Sequence, residues 1–257
     1  MQKIDKVHPT DKEIEPIVID KAKLSTPLSK EIEDYPKGLI FLIDKPYGWT
    51  SSDAVRKIKF SLQRWFGVKN IKVGHAGTLD PLATGVLMIC AGKATKIAES
   101  LQAQKKEYIA QITFGATTPS FDLEKEIDAY FPYKHITEKS IKAILPSFIG
   151  QIEQMPPIFS AKMIDGVRAY NLARAGKEAK MKPSLVTIYN IEVISYDSPV
   201  LNITINCSKG TYVRSIARDF GEALESGAHL TGLIRSSSGN FKVNNAISFE
   251  KLKPFLE

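Results

Sequence analysis

The sequence predicts an α+β protein, because segments with strand periodicity and segments with helical periodicity follow one another along the chain. Residues 38–43 form an apolar run that is typical of a buried strand. Residues 52–66, which follow, carry apolar side chains at helical spacing. Residues 186–195 and 201–207 alternate apolar and polar side chains, which predicts two strands paired in an antiparallel manner.

The first helix is predicted over residues 52–66. Thr50 or Ser51 precedes it and suits the N-cap position, since a hydroxyl oxygen there accepts a hydrogen bond from a free backbone N–H. Its apolar residues, spaced to share one face, are Val55, Ile58, Leu62 and Phe66.

Several further elements follow along the chain. Alternation predicts a strand that begins near Tyr108. Residues 137–149 are predicted to form a short helix with Thr137 as its cap. Arg214 opens a further predicted helix, whose apolar face consists of Ile216, Phe220 and Leu224, and one short helix is predicted near the end of the chain.

The composition fits a large folded core and a polyanionic partner. The chain has 257 residues, of which 43% are hydrophobic, enough for one large domain or two small ones. Residues 1–37 show no sustained periodicity and are expected to form an N-terminal extension, either flexible or laid along the surface. They hold seven lysines and eight acids, so residues 38–257 carry +8 against the whole chain's +7. Such an excess favours binding to nucleic acid.

Several classes of protein and site are disfavoured by the sequence. Cys90 and Cys207 lie in separate apolar segments, which predicts buried free thiols. No apolar run reaches the about eighteen residues of a membrane span, and the N-terminus has no apolar signal core. The dipeptide at Gly92 lacks the second glycine and the hydroxyl residue of a phosphate-binding loop. We therefore expect a cytoplasmic protein without a membrane partner.

The stretch from Gly74 to Gly85 concentrates residues that are typical of a functional loop. It is Gly-His-Ala-Gly-Thr-Leu-Asp-Pro-Leu-Ala-Thr-Gly, and an apolar run follows it. The glycines permit tight turns, and Pro81 biases Asp80 towards extended backbone. Asp80 is thus expected on a stiff loop beside a hydrophobic wall. Judged from these residues alone, its carboxylate is either a cap for nearby N–H groups or a catalytic group.

This string closely resembles the signature loop of the bacterial tRNA pseudouridine-55 synthases, the TruB family, which carry Gly-His-x-Gly-x-Leu-Asp-Pro-x-Ala-x-Gly. The resemblance extends over about residues 38–249, through six motifs in the family's order. It implies the pseudouridine synthase fold, with a mixed, mainly antiparallel sheet and flanking helices. It also implies that residues 38–257 form the catalytic domain, with an RNA-binding insertion near residues 116–160.

The resemblance implies three catalytic residues. Asp80 would be the nucleophile, and Arg214, in the segment Cys207-Ser-Lys-Gly-Thr-Tyr-Val-Arg214, would pair with it. Tyr108, which follows a lysine-containing segment, would contact the target base. Outside these motifs, the tyrosine would be interpreted as an edge packer and the arginine as a surface residue.

The resemblance also implies three substrate-binding residues. Lys45, in the motif Asp44-Lys45-Pro46-x-Gly48-x-Thr50-Ser51, would help to position the active site. His75 would fill the space that a flipped base leaves, or stack on that base, although a structural loop histidine is the alternative. Leu233 would line the base pocket.

The chain departs from the family pattern at two points. The glycine that usually follows the aspartate matching Asp122 is absent. Met163 stands where the family commonly has lysine, with Lys162 one position earlier. On an extended strand that shift would turn the charge to the opposite face. The resemblance further implies a short form without the C-terminal RNA-binding domain of many relatives.

These residues suit the isomerisation of uridine. The reaction breaks the N-glycosidic bond and joins C5 of the base to the sugar, without redox change or phosphate transfer. The sequence has neither a dinucleotide fingerprint nor a cysteine and histidine metal cluster, so we expect no cofactor and no metal. A uridine inside a folded RNA loop must leave its stack before a carboxylate can reach it. A neighbouring guanidinium favours the ionised form of that carboxylate.

The sequence therefore predicts an enzyme that converts uridine 55 of the tRNA T-arm stem-loop to pseudouridine, acting as a monomer. A non-catalytic RNA-binding or RNA-folding protein using the same cleft is the first alternative. A carboxylate-pair glycosidase is the second, but it needs another positioned acid that no motif supplies. The chemical order of events at Asp80 stays open.

Overall fold

The computed structural model describes residues 15–160, 162–164, 167–169, 181–252 and 255. Its strands are β1 (Ile17–Ile19), β2 (Leu39–Lys45), β3 (Val73–His75), β4 (Ala83–Ala91), β5 (Lys106–Phe114), β6 (Ala116–Thr117), β7 (Ala129–Tyr130), β8 (Gly150–Gln154), β9 (Met163–Ile164), β10 (Val167–Arg168), β11 (Ser184–Asp197), β12 (Val200–Cys207), β13 (Ala228–Ser238) and β14 (Phe241–Lys242). The side chain at Met163, where we noted a departure from the family, lies outside the described residues.

One large sheet organises the described part of the chain. Its strand order is β1-β2-β4-β13-β5-β12-β11-β8, with β3 beside β4 and β14 beside β13. The pairs β1/β2 and β4/β13 are parallel, and the other pairs within this sheet are antiparallel. The predicted antiparallel pair is β11 and β12. The expectation of an α+β fold with a mixed, mainly antiparallel sheet is therefore confirmed.

Helices flank this sheet. They are α1 (Ser51–Trp65), α2 (Ala98–Ala103), α3 (Glu138–Phe148), α4 (Val213–Ala223) and α5 (Phe249–Leu252). Thr50 is the N-cap of α1: its hydroxyl oxygen accepts a hydrogen bond from Asp53 N at 3.0 Å. The Asp53 carboxylate accepts one from Thr50 N at 2.9 Å, which completes a capping box. Thr137 caps α3 in the same way, as the sequence predicts.

Two helices cover the same face of the sheet over different strands. Ile58 and Leu62 of α1 are fully buried in a cluster that includes Leu87 of β4. The buried residues Ile216 and Phe220 of α4 pack in a second cluster, which includes Ala83 of β4. Because alternate residues of a strand share a face, both clusters lie on one side of β4. The loop between β3 and β4 lies on that side and contacts the first residue of α1 and the first turn of α4.

The first described residues lie along the edge of the sheet. Strand β1 pairs in parallel with β2, and Ile19 is buried in the cluster beneath α1. Farther on, Ser29 O accepts a hydrogen bond from Trp65 Nε1 of α1 at 3.1 Å. Residues 17–29 thus extend the sheet and contact α1 at the end remote from its N-cap.

Replacing Ile19 with alanine should destabilise the protein, because the side chain is only 1% exposed. We expect the free energy of unfolding to fall by about 2–4 kcal/mol, the usual loss for a buried Ile→Ala change. Ile17→Ala, on the same strand but 38% exposed, is the matched control and should change it by less than about 0.5 kcal/mol. Urea unfolding measures both changes in the free energy of unfolding. If the Ile19→Ala change is as small as the Ile17→Ala change, the burial of Ile19 contributes little to stability.

Candidate active site

The loop of residues 76–82, between β3 and β4, carries Asp80. Ser51, the first residue of α1, is buried and holds the residue before Asp80 through its hydroxyl group. Ser51 Oγ donates a hydrogen bond to Leu79 O at 2.9 Å and accepts one from Leu79 N at 2.8 Å. The start of α1 therefore fixes the backbone on one side of Asp80.

Lys45 fixes the backbone on the other side. Its fully buried side chain donates hydrogen bonds from Nζ to Pro81 O at 3.2 Å, Pro46 O at 2.9 Å and Trp49 O at 2.6 Å. Burial lowers the pKa of Lys45 from 10.5 to about 8, and the nearby Asp80 carboxylate opposes that shift. Lys45 thus joins the loop after β2 to the loop of Asp80.

Arg235 holds the first half of the Asp80 loop from β13. Its buried guanidinium donates from Nη2 to Gly77 O at 3.3 Å, from Nη1 to Thr78 O at 3.2 Å and from Nε to Val86 O at 2.7 Å. Gly85, opposite it on β4, has φ +97°, and a Cβ there would lie 2.3 Å from Arg235 O. The sequence prediction missed Arg235, although an arginine amid the residues of a buried strand was an available signal.

The predicted partner of Asp80 lies directly against it. Arg214, in the first turn of α4, has Nε 2.9 Å from Asp80 Oδ2, with the arginine side chain 3% and the aspartate side chain 34% exposed. The Nε–H is not aligned on that oxygen as a hydrogen bond, so the contact is an ion pair. Nη1 of Arg214 donates to Ser120 O at 3.3 Å. The cation is buried behind a carboxylate that remains open to solvent.

A second carboxylate shares this arginine. Asp122 Oδ2 lies 3.6 Å from Arg214 Nε, and the Asp122 side chain is almost fully buried. Its other oxygen accepts a hydrogen bond from Glu124 N at 3.0 Å. The sequence prediction did not include Asp122 in the site, because no spacing along the chain relates it to Arg214.

The start of α4 is held by a polar residue that the sequence prediction also missed. Gln154, buried at the end of β8, accepts a hydrogen bond from Tyr212 N at 2.8 Å and donates one to Tyr212 O at 3.1 Å. Burial raises the pKa of the Tyr212 phenol, and the Asp80 carboxylate adds to the rise. Gln154 therefore fixes the backbone of Tyr212, two residues before Arg214.

The remaining predicted residues surround the same loop. Leu233 of β13 lines a cleft together with Asp80 and Asp122. Tyr108 of β5 is the cross-strand neighbour of Arg235 and is buried. Burial raises the pKa of its phenol, and Arg235 partly opposes the rise. His75 is partly buried at the end of β3, five residues before Asp80.

The arrangement can hold a carboxylate oxygen in a fixed position in the lining of a cleft that also includes Leu82, Leu230 and Leu233. Asp80 is restrained through its backbone on both sides and through its carboxylate by Arg214. Within the described residues, no group of three or more His, Cys, Asp or Glu side chains is placed to hold a metal ion. Nor does that part of the chain contain a helix long and apolar enough to cross a membrane.

Comparison with solved structures identifies related folds. A chain in a structure described as a Cbf5-Nop10-Gar1 complex aligns with TM-score 0.64 and 29% identity, over 85% of this chain and 54% of that one. A chain in an H/ACA RNP bound to a substrate RNA containing 2'-deoxyuridine aligns with TM-score 0.60 and 27% identity, over 83% of this chain and 51% of that one. The present chain thus spans about half the length of these solved chains.

Sequence comparison identifies the family. A family model described as TruB family pseudouridylate synthase (N terminal domain) matches residues 63–213. A protein of Phocaeicola vulgatus, named tRNA pseudouridine synthase B, is 53% identical over 224 residues, which cover 87% of this chain and 95% of that protein. A Flavobacterium johnsoniae protein of the same name is 49% identical over 226 residues, 88% of this chain and 99% of that protein. The chain belongs to the TruB family of pseudouridylate synthases.

Proposed function

We propose that this protein isomerises uridine 55 to pseudouridine in the T-arm of tRNA, with Asp80 as the catalytic group. The observation that carries the proposal is the buried Arg214 guanidinium held 2.9 Å from a solvent-facing Asp80 carboxylate. The name tRNA pseudouridine synthase B, borne by the relatives from Phocaeicola vulgatus and Flavobacterium johnsoniae, supports the RNA substrate.

Asp80 supplies the ionised oxygen that the rearrangement needs. During the reaction the bond from N1 of the base to C1′ breaks, the base turns and C5 bonds to C1′; the proton at C5 is released and N1 takes up a proton, so the product is an isomer of the substrate. A partly exposed carboxylate paired to a buried cation is preorganised for this work, since the cation orients it without blocking it. The rearrangement of uridine involves no change of oxidation state, so it needs no external oxidant or reductant.

The other predicted residues bind or position the substrate. Tyr108 provides a ring for the flipped base, and Leu233 provides the apolar wall of the cleft. His75 either fills the space that the uridine vacates or stacks on the flipped base. Lys45 is a positioning residue, because it contacts the backbone next to Asp80 and not the substrate.

The domain organisation follows the same proposal. Residues 38–257 form the catalytic domain, and residues 1–37 extend it. The segment near residues 116–160 grips the RNA beside the cleft. The enzyme acts in the cytoplasm as a monomer on the T-arm stem-loop, without metal or cofactor.

The alternatives predicted from the sequence fit the site less well. A protein that only binds RNA does not need a buried guanidinium that orients a carboxylate at the mouth of a cleft. A glycosidase needs a second acid able to donate a proton to the leaving group. Asp122 lies close, but it is almost fully buried and is paired with the same guanidinium as Asp80. Pseudouridine formation needs only the one carboxylate that Arg214 holds and no second acid.

Asp80→Asn should abolish the reaction while RNA binding persists, because the amide keeps the shape and loses the anionic oxygen. We expect tritium release from T-arm RNA labelled at uridine C5 to fall at least about 10³-fold at matched RNA occupancy. T-arm RNA with cytidine at position 55 is the substrate control and should not react. Binding without release by either the wild type or the variant would leave an RNA-binding protein and sink the proposed enzyme.

Arg214→Lys should lower kcat by about 10²-fold, because an ammonium keeps the charge but cannot contact Asp80, Asp122 and Ser120 O together. Single-turnover tritium release measures this effect. Arg218→Lys, one turn along α4, is the control for disturbance of the helix: Arg218 pairs with Asp219 and Glu222 and lies 4.9 Å from the Phe121 ring, and among the described residues its ion pairs include neither Asp80 nor Asp122, so its loss should be well below that of Arg214→Lys. Similar losses in both variants would mean that the helix, and not the ion pair with Asp80, sets the rate.

Lys45→Met should lower kcat by about tenfold or more, since the loop beside Asp80 loses its tie. The pH dependence of stability gives a second readout. Burial lowers the pKa of Lys45 to about 8, so between about pH 8 and 10.5 the unfolded chain keeps a proton that the folded chain has released. The unfolding free energy of the wild type, relative to that of Lys45→Met, should therefore rise across this window. A flat or falling difference in urea unfolding would contradict the buried state of Lys45.

A further inference from the structure

The stretch from Ala54 to Leu79 carries basic side chains without any acid. Six basic residues occur in these 26 positions, against a net charge of +7 for the entire chain. All six are exposed, and they are Arg56, Lys57, Lys59, Arg64, Lys69 and Lys72. About a tenth of the sequence therefore presents most of the net positive charge on one helix and the loop after it.

Part of this charge lines a groove on the outer side of α1. The groove, which we call the α1 groove, is lined by Lys57, Phe60, Arg64 and Lys69. Lys57 and Lys69 have no carboxylate partner among the residues that the structure describes. Their charge is thus available to an external anion.

The shape of the α1 groove is fixed by the fold. Ala54, Ile58 and Leu62 are buried beneath α1, so the opposite face of the helix must point outward. The loop after α1 is tied back to Gln63, whose carbonyl accepts a hydrogen bond from Val68 N at 3.0 Å. The Gln63 side chain also donates to Lys69 O. These bonds keep Lys69 beside the helix.

Phe60 distinguishes the α1 groove from an ordinary solvated face. Its ring is 65% exposed between cationic side chains. Proteins that bind nucleic acid strands combine cationic grooves with aromatic rings, on which bases or sugars stack. Exposed lysines are common because water solvates their charge. An exposed aromatic ring is less common, because removing its apolar surface from water would be favourable, so a binding partner that covers Phe60 would gain free energy.

We propose that the α1 groove is a second RNA-binding site, which holds the phosphate backbone of the tRNA outside the T-loop. This inference rests on the proposed function. Ser51 at the start of α1 touches the Asp80 loop, while Phe60 and Arg64 lie about 14–20 Å farther along the helix, at 1.5 Å per residue. That distance spans several nucleotides, so the α1 groove reaches RNA that the catalytic cleft does not.

The first test measures affinity and its dependence on salt. Neutralising two phosphate contacts in Lys57→Gln/Lys69→Gln should weaken full-length tRNA binding about tenfold near 0.1 M salt. It should also reduce the slope of log affinity against log salt by about 1–2. Lys242→Gln/Lys251→Gln removes the same charge from exposed lysines elsewhere and should change affinity by less than about twofold. Equal behaviour of the two double variants would overturn the proposal.

Phe60→Ala separates stacking from charge. Loss of one stacked base should weaken tRNA binding about fivefold or more, without changing the salt slope. Thermal unfolding of each variant, which should match the wild type because these side chains are exposed, excludes loss of fold as the cause. An unchanged affinity for Phe60→Ala would refute the part of the proposal that assigns an RNA contact to the ring.

A tethered cleavage probe locates the RNA contact. Cys90 and Cys207 are fully buried, so Lys69→Cys supplies an accessible thiol for a hydroxyl-radical reagent. Cuts in the tRNA backbone outside the T-loop are expected, and their absence or restriction to the T-loop would overturn the assignment. Tritium release from C5-labelled T-arm RNA by the unmodified wild type is assayed in parallel. Failure of that release would reject the proposed function, whatever the probe shows.

Discussion

The burial of a charged guanidinium beside Asp80 sets the conditions that the surrounding structure has to meet. Burying a guanidinium is costly unless anions and hydrogen-bond acceptors replace the water it has lost. Asp80, Asp122 and Ser120 O supply that replacement for Arg214. They come from two separate loops, so the ion pair forms only when the sheet brings those loops to the start of α4. The chemistry thus depends on the tertiary fold and on no local motif alone.

The loop of Asp80 is held by polar groups that are expensive to bury. Lys45 and Arg235 donate hydrogen bonds to backbone carbonyls of the loop. Ser51 binds both the N–H and the carbonyl of Leu79. Apolar side chains in these places would pack at a lower desolvation cost. The polar groups restrain the geometry of the loop instead, because a hydrogen bond is directional and fixes the position of a carbonyl, whereas an apolar contact is not directional. Burying these polar groups lowers the stability of the folded state, but it holds the Asp80 carboxylate in a fixed position.

The sequence predicted several of the elements and some of the contacts at the candidate site, for identifiable reasons. Helix α1 and the strands β11 and β12 follow from periodicity and capping, which are local properties. The ion pair between Arg214 and Asp80 was reached through motif resemblance, since 134 positions separate the two residues. Gln154 was missed because its partners are backbone groups of Tyr212, which no sequence pattern identifies. For Arg235 the arginine within a strand was a signal, but the sequence does not show which backbone carbonyls it binds. Asp122 was missed because Arg214 reaches it only across the folded cleft.

Helix α1 connects the two kinds of work that an RNA-modifying enzyme must do. Its first residue restrains the loop of Asp80, and its later turns, together with the loop after them, carry the cations of the α1 groove. Phosphate contacts provide affinity with little base discrimination, whereas the cleft must receive one flipped base. Placing both on one rigid helix fixes the distance between the gripped backbone and the reacting uridine. If both proposed sites bind the RNA, binding free energy gained in the α1 groove offsets the cost of unstacking the base, because Ser51 of α1 is bonded directly to the loop of Asp80.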